Sequence, residues 1–205
     1  MGIILKITAF KRALAVCASA ALLLTVSPLS PATASEPTPD KVVSAFGYVQ
    51  AQPNGTFLES DVMAVKAASN ASAAVPEDLL ARAADPAYVI YSRWNDNLAK
   101  PTVIRNGTAA FGWAHVQKHR VTLNMVKKTT MFPKTRSVQG GNTIVYQTPA
   151  NEYECWLGIC RIKRTMDVRT VVSNTRMGDG LQKGVITTYC VGPMTCPAWV
   201  AATAG

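Results

Sequence analysis

The sequence predicts an α+β fold, with N-terminal helices packed on a C-terminal antiparallel sheet, and three observations predict it. Residues 60–74 are alanine-rich and weakly amphipathic. Residues 76–84 carry helix start and stop signals, and the chain beyond residue 143 changes to the two-residue alternation of strands. Helical segments first and alternating segments last suit helices on one face of an antiparallel sheet whose other face meets solvent or substrate.

The first 34 residues read as an export leader. Lys6, Lys11 and Arg12 form a positive start, residues 13–26 an apolar run, and Ala32-Thr33-Ala34 a small-residue cleavage site. Cys17 raises a lipoprotein alternative, disfavoured by the bulky Val16 before it and by the apolar run that follows it. The run is short for a bilayer span and no second one occurs, so no stable membrane anchor is expected and the mature chain is placed outside the cell. Residues 35–100 then read as a small helical accessory or pro-region, and residues 101–205 as a basic α+β domain.

Residues 35–41 are polar and proline-containing, and residues 42–49 suit a short strand before the turn Pro53-Asn54-Gly55. The helix over 76–84 has Pro76 at its first position, Glu77 and Asp78 at the positive end of its dipole, and Pro86 as its stop. Residues 88–91 and 102–105 are short strand candidates, the second ending at Asn106-Gly107. In the next helical stretch Phe111, Trp113, Val116, Leu123 and Val126 recur too irregularly for one helix, which predicts a break near residues 120–122; Phe132-Pro133 closes the stretch. Alternation marks strands over 143–147, 161–173 and 185–191. In the second of these Ile162, Met166, Val168 and Val172 share one face, with Arg161, Lys163, Asp167 and Arg169 mostly on the other.

Charge is distributed unevenly. The chain carries 21 Lys and Arg against 12 Asp and Glu, +9, and losing the leader leaves +6. Residues 35–110 sum to −2 and residues 111–205 to +8, a field that favours a polyanionic partner for the second half. Cys155, Cys160, Cys190 and Cys196 remain after the leader. In an exported chain they predict two disulfides, and the local pairing is favoured because each pair brackets a short turn-like segment; three connectivities are open, and a four-thiolate zinc site is the rival reading. No phosphate-binding loop, dinucleotide fingerprint, HExxH helix or serine-hydrolase elbow is present, which sets aside those enzyme classes.

The two histidines of the chain, His115 and His119, lie four residues apart in FGWAHVQKHR. At helical spacing they point to the same side. Imidazole accepts and releases protons near neutrality. Cleaving RNA by its own 2'-hydroxyl needs a base for that hydroxyl, an acid for the departing 5'-oxygen and cationic or hydroxyl donors for the phosphorane. Lys118 and Arg120 flank the histidines, Arg161, Lys163, Arg164 and Arg169 decorate a strand, and on the last strand Thr187 and Tyr189 share one face while Thr188 takes the other. The plainer alternatives are surface histidines, a pair of metal ligands lacking an obvious third, core roles for Phe111 and Trp113, and a solvated arginine face.

FGWAHVQKHR resembles the glycine-aromatic-x-His-[Ile/Val]-x-x-[Lys/Arg]-His element of C-terminal domains in bacterial secreted toxins, and VRTVVSNTRMGDGLQKGVITTYCVG resembles their closing hairpin, although Cys190 stands where proline is common. Those domains are similar to the barnase, EndoU and colicin ribonuclease superfamily, and the likeness covers about residues 101–192. It implies helices on an antiparallel sheet and a secreted, metal-independent endoribonuclease toxin that leaves a 2',3'-cyclic phosphate. His115 would be the general base and His119 the general acid, or the reverse, with Lys118, Arg169 and Thr187 or Thr188 stabilising the phosphate. No cofactor or metal is implied; RNA is the substrate, a cognate immunity protein a partner, and a monomer is expected. The alternatives are a non-catalytic exported binder of nucleic acid or another polyanion, and a disulfide-braced structural or inhibitory protein.

Overall fold

The computed structural model describes residues 38–71 and 85–205. The leader and the helix expected over 76–84 lie outside the described residues. In chain order the elements are Lys41–Phe46 (β1), Phe57–Leu58 (β2), Glu59–Ala71 (α1), Ile90–Asn95 (β3), Pro101–Arg105 (β4), Trp113–Val116 (α2), Leu123–Met131 (α3), Thr135–Gln139 (β5), Thr143–Trp156 (β6), Ile159–Arg176 (β7), Gln182–Cys190 (β8) and Ala198–Ala204 (α4).

The long β6–β7 hairpin organises the main sheet. β5 and then β1 pair along the outer edge of β6, while β8 and β2 pair along the outer edge of β7, all antiparallel. Pro149 lies inside β6, a residue that cannot donate to a ladder. It sits between the last β5 partner, Gln147, and the first β1 partner, Ala150, so its missing N–H falls where the neighbouring strand changes. The fold is thus α+β, with an antiparallel sheet as expected, but strands also come from the first third of the chain.

Helices α2, α3 and α4 cover one face of the sheet. Val116, Val121, Met125, Val126 and Val200 pack there against Ile144, Val168, Val172 and Val185. The break expected near residues 120–122 is present: Arg120 takes the left-handed conformation (φ 54°), and the Thr122 side chain caps α3 by accepting from the Met125 N–H at 3.2 Å. Trp94 Nε1 donates to Thr130 Oγ1 (2.7 Å) and Thr148 Oγ1 donates to the Thr129 carbonyl (2.9 Å), tying β3 and β6 to α3. A smaller core joins Val62 of α1 to Val43, Phe57, Tyr153 and the Cys155–Cys160 pair.

Two expectations change. Thr38–Gly205 form one compact unit, and the boundary expected after residue 100 falls inside the β3–β4 hairpin, whose register pairs Asn95 with Pro101. β1 also pairs with β6 from Lys41 opposite Cys155 to Phe46 opposite Ala150. Residues 41–46 therefore belong to the sheet, because their apolar face buries against β6 and α1. Both disulfides form locally, Cys155–Cys160 and Cys190–Cys196.

Candidate active site

The turn ahead of the histidines is set by backbone crowding. A Cβ on Gly112 (φ 75°) would lie 2.7 Å from the Arg105 carbonyl oxygen, so glycine is required. The Gly112 N–H donates to the Ile186 carbonyl (3.3 Å), where the β7–β8 register shifts. Buried Phe111 packs on Tyr88 at 5.5 Å and Trp113 stacks on Tyr91 at 5.1 Å between centroids. Both aromatics anchor α2 to the β3–β4 side.

α2 passes directly into a 3-10 turn, Gln117–His119. Although the helix type changes, the His115 and His119 rings come together edge to face, 5.1 Å between centroids. His115 Nδ1 donates to the Ala109 carbonyl at 2.7 Å. A carbonyl only accepts, so the neutral ring keeps its lone pair on Nε2. The His119 carbonyl accepts from the Cys196 N–H (2.8 Å), and its ring lies 6.2 Å from that of Tyr189. Burial, then the charges of His115 and Lys118, hold the His119 imidazole below its ordinary 6.5, against the opposing pull of a backbone hydrogen bond to Met194.

Tyr189 leads across the sheet. It is in register with Arg169 of β7, and Arg169 with Gln147 of β6. The three side chains therefore form one row on the face opposite α2, α3 and α4, the face on which α1 packs further along β6. Arg169 Nη2 donates to Gln147 Oε1 (2.9 Å), and Gln147 Nε2 donates to Asp167 Oδ2 (2.7 Å). Arg169 Nε is buried without a hydrogen-bond partner.

The expected site residues separate. His115, His119 and exposed Lys118 lie together, and Arg169 joins them through Tyr189. Thr187 is opposite Val171, two residues from Tyr189 on the same face. Thr188 is placed elsewhere: it is fully buried and shares a 3.0 Å hydrogen bond with Thr170 Oγ1 in the core. Strand alternation turns it away from the histidines, so the terminal-strand hydroxyl on this face is Thr187. Gln147 and Asp167 were missed as site residues; strand parity groups Asp167 with Arg169, but Gln147 needs the β6–β7 register.

Three other cations are otherwise engaged. Arg164 grips Glu152 at 2.6 Å and lies over Trp199 at 4.6 Å, while Lys163 pairs with Glu154 at 3.0 Å. Arg105 is wholly buried, its guanidinium closed by both Asp179 oxygens (2.7 and 3.0 Å) and holding that carboxyl below the usual carboxylate range. A separate cavity of about 340 Å³ opens between β3–β4 and the far ends of β6 and β8, lined by Arg93, Lys100, Tyr146 and Arg176. Its acid, Asp96, is occupied by Tyr146 Oη (2.6 Å) and by the Leu98 and Lys100 N–H groups. Neither histidine lines this cavity.

Among the described residues no group of three or more His, Cys, Asp or Glu is placed to hold a metal ion, and no helix is long and apolar enough to cross a membrane. Comparison with known proteins finds no matching family model, no matching curated protein and no matching solved structure.

Proposed function

We propose that this protein is an exported endoribonuclease that cleaves RNA by 2'-hydroxyl transesterification and acts as a toxin. One observation carries the reading: two histidine rings 5.1 Å apart adjoin, through Tyr189, an arginine whose guanidinium hydrogen-bonds a neutral glutamine. A phosphodiester is a ligand whose charge suits such a cation while it presents a hydroxyl and a leaving oxygen to the two imidazoles.

In this reading His115 Nε2 takes the proton of the 2'-hydroxyl as its oxygen attacks phosphorus. His119, protonated, gives its proton to the departing 5'-oxygen. The products are a 2',3'-cyclic phosphate and a 5'-hydroxyl. The hydrogen bond from His115 Nδ1 to Ala109 favours the base role for that ring, since it leaves the other nitrogen unprotonated in the neutral form. Arg169 and Lys118 offset the negative charge that gathers on the phosphorane, and Thr187 supplies a hydroxyl. Asp167 reaches Arg169 only through Gln147, which leaves the guanidinium charge available to substrate. Two disulfides fit an exported chain, and a producing cell would need a cognate immunity partner.

The test is product analysis. Purified oxidised protein incubated with mixed RNA in chelator yields 2',3'-cyclic phosphate ends. RNA bound in a salt-sensitive manner and left intact would instead favour the non-catalytic polyanion binder.

A further inference from the structure

We propose that the Cys190–Cys196 disulfide is a redox latch that positions His119, so that the histidine pair is assembled only while this disulfide is closed. Its consequence for turnover rests on the ribonuclease reading above; its structural content does not.

The loop closed by this disulfide holds His119 in two places. The Cys196 N–H donates to the His119 carbonyl at 2.8 Å, and the Met194 backbone lies close enough to the imidazole to favour its protonated form. Met194 is itself fixed against the end of β8, where its N–H donates to the Cys190 carbonyl at 3.0 Å. Val116 and Val121 hold the backbone on either side in the core, but they do not fix the His119 ring. His119 ends a three-residue 3-10 turn that follows a four-residue helix, and Arg120 immediately leaves helical geometry at φ 54°. Helical segments this short have almost no intrinsic stability.

The other disulfide shows what a latch is not. Cys155 and Cys160 already face each other in the β6–β7 register, so that bond staples strands the ladder has paired. Cys190–Cys196 instead closes a loop outside the ladder. Both of its sulfurs belong to residues buried in the main core, so opening it requires a dithiol reductant to reach them. The dithiol forms a mixed disulfide with one cysteine, and its second thiol then displaces that cysteine. Two electrons and two protons pass to Cys190 and Cys196, which become thiols, and the reagent leaves as a cyclic disulfide. A chain held reduced before export would thus carry an unassembled pair.

The test follows the two imidazoles by NMR across a pH titration, in oxidised protein, after dithiothreitol, and in Cys190→Ser/Cys196→Ser, with Cys155→Ser/Cys160→Ser as the control. The groups facing His119 are His115, Lys118, Tyr189 and the Met194 backbone, with Arg169 beyond Tyr189; residues 191–195 add no titrating side chain. Closed protein shows a His115–His119 ring contact and a His119 midpoint below 6.5. Opening the latch removes the contact, moves His119 up towards 6.5 and lowers RNA turnover about 100-fold or more, while the control keeps both signatures. An unchanged ring contact and midpoint in the opened protein would overturn the proposal. So would loss of the sheet's circular dichroism on opening, since the bond would then hold the fold and not the histidine. Oxidised protein that leaves RNA intact while His119 responds as stated would defeat the ribonuclease reading and leave the latch standing.

Discussion

The turn end and the middle of β7 carry similar basic residues whose charges are matched differently. Near the hairpin turn, Lys163 and Arg164 face Glu152 and Glu154, and their charge is matched within the sheet. Six residues further along, Arg169 meets a neutral glutamine, keeps one donor unpaired and stands in register with the tyrosine beside His119. Composition alone scores all of these as basic strand residues. What separates them is the partner strand: β6 offers carboxylates at one end and Gln147 at the other, so a cation is available to a polyanion only where its neighbours leave it so. Lys127 and Lys128 are buried, and part of the +8 in the second half lies in the interior, away from substrate.

The largest expected difference between the two regions comes from the histidines. His115→Ala and His119→Ala each lower RNA cleavage by about 10²- to 10⁴-fold in single-turnover assays, whereas Lys163→Ala and Arg164→Ala change it little. Arg169→Ala follows, with a loss of about 10²- to 10³-fold in kcat; an equal loss from Arg164→Ala would break the contrast.

The pH profile sharpens it further. If His119 is the acid, kcat/KM falls about tenfold per pH unit above its midpoint, and because burial and neighbouring positive charge disfavour the imidazolium, that limb lies below 6.5. Lys118→Gln removes one of those charges, so the limb moves to higher pH. A limb that stays fixed would show that His119 does not set it. The smallest effect distinguishes two adjacent threonines. Thr187→Val lowers turnover several-fold without loss of stability. Thr188→Val leaves turnover unchanged but strands the buried Thr170 hydroxyl, at a cost of about 1–3 kcal/mol in denaturant unfolding.

Much of this arrangement was legible in the chain, and its gaps have physical causes. The break at residues 120–122, the opposed faces of Thr187 and Thr188 and the two local disulfides follow from side-chain preference, strand period and short loops. β5 escaped because Thr135–Gln139 is a polar, largely exposed edge strand with no apolar alternation. α4 escaped because AWVAATA is only seven residues long and its place is set by the preceding disulfide loop. β6 runs well past residue 147, where Pro149 masks its continuation. The site was half visible: local spacing announced His115 and His119, but which strand face they meet depends on strand pairings about 20 positions apart and on a ring contact about 70 apart.

The most direct measurement is an NMR titration of the oxidised protein with a short RNA bearing one 2'-deoxy substitution at its scissile position, which binds but lacks the attacking hydroxyl. The account predicts the largest shifts at His115, His119, Tyr189 and the Arg169 side chain, with Lys163 and Arg164 unmoved. Shifts concentrated at Arg161–Arg164, or around Arg93 and Arg176 at the separate cavity, would contradict it.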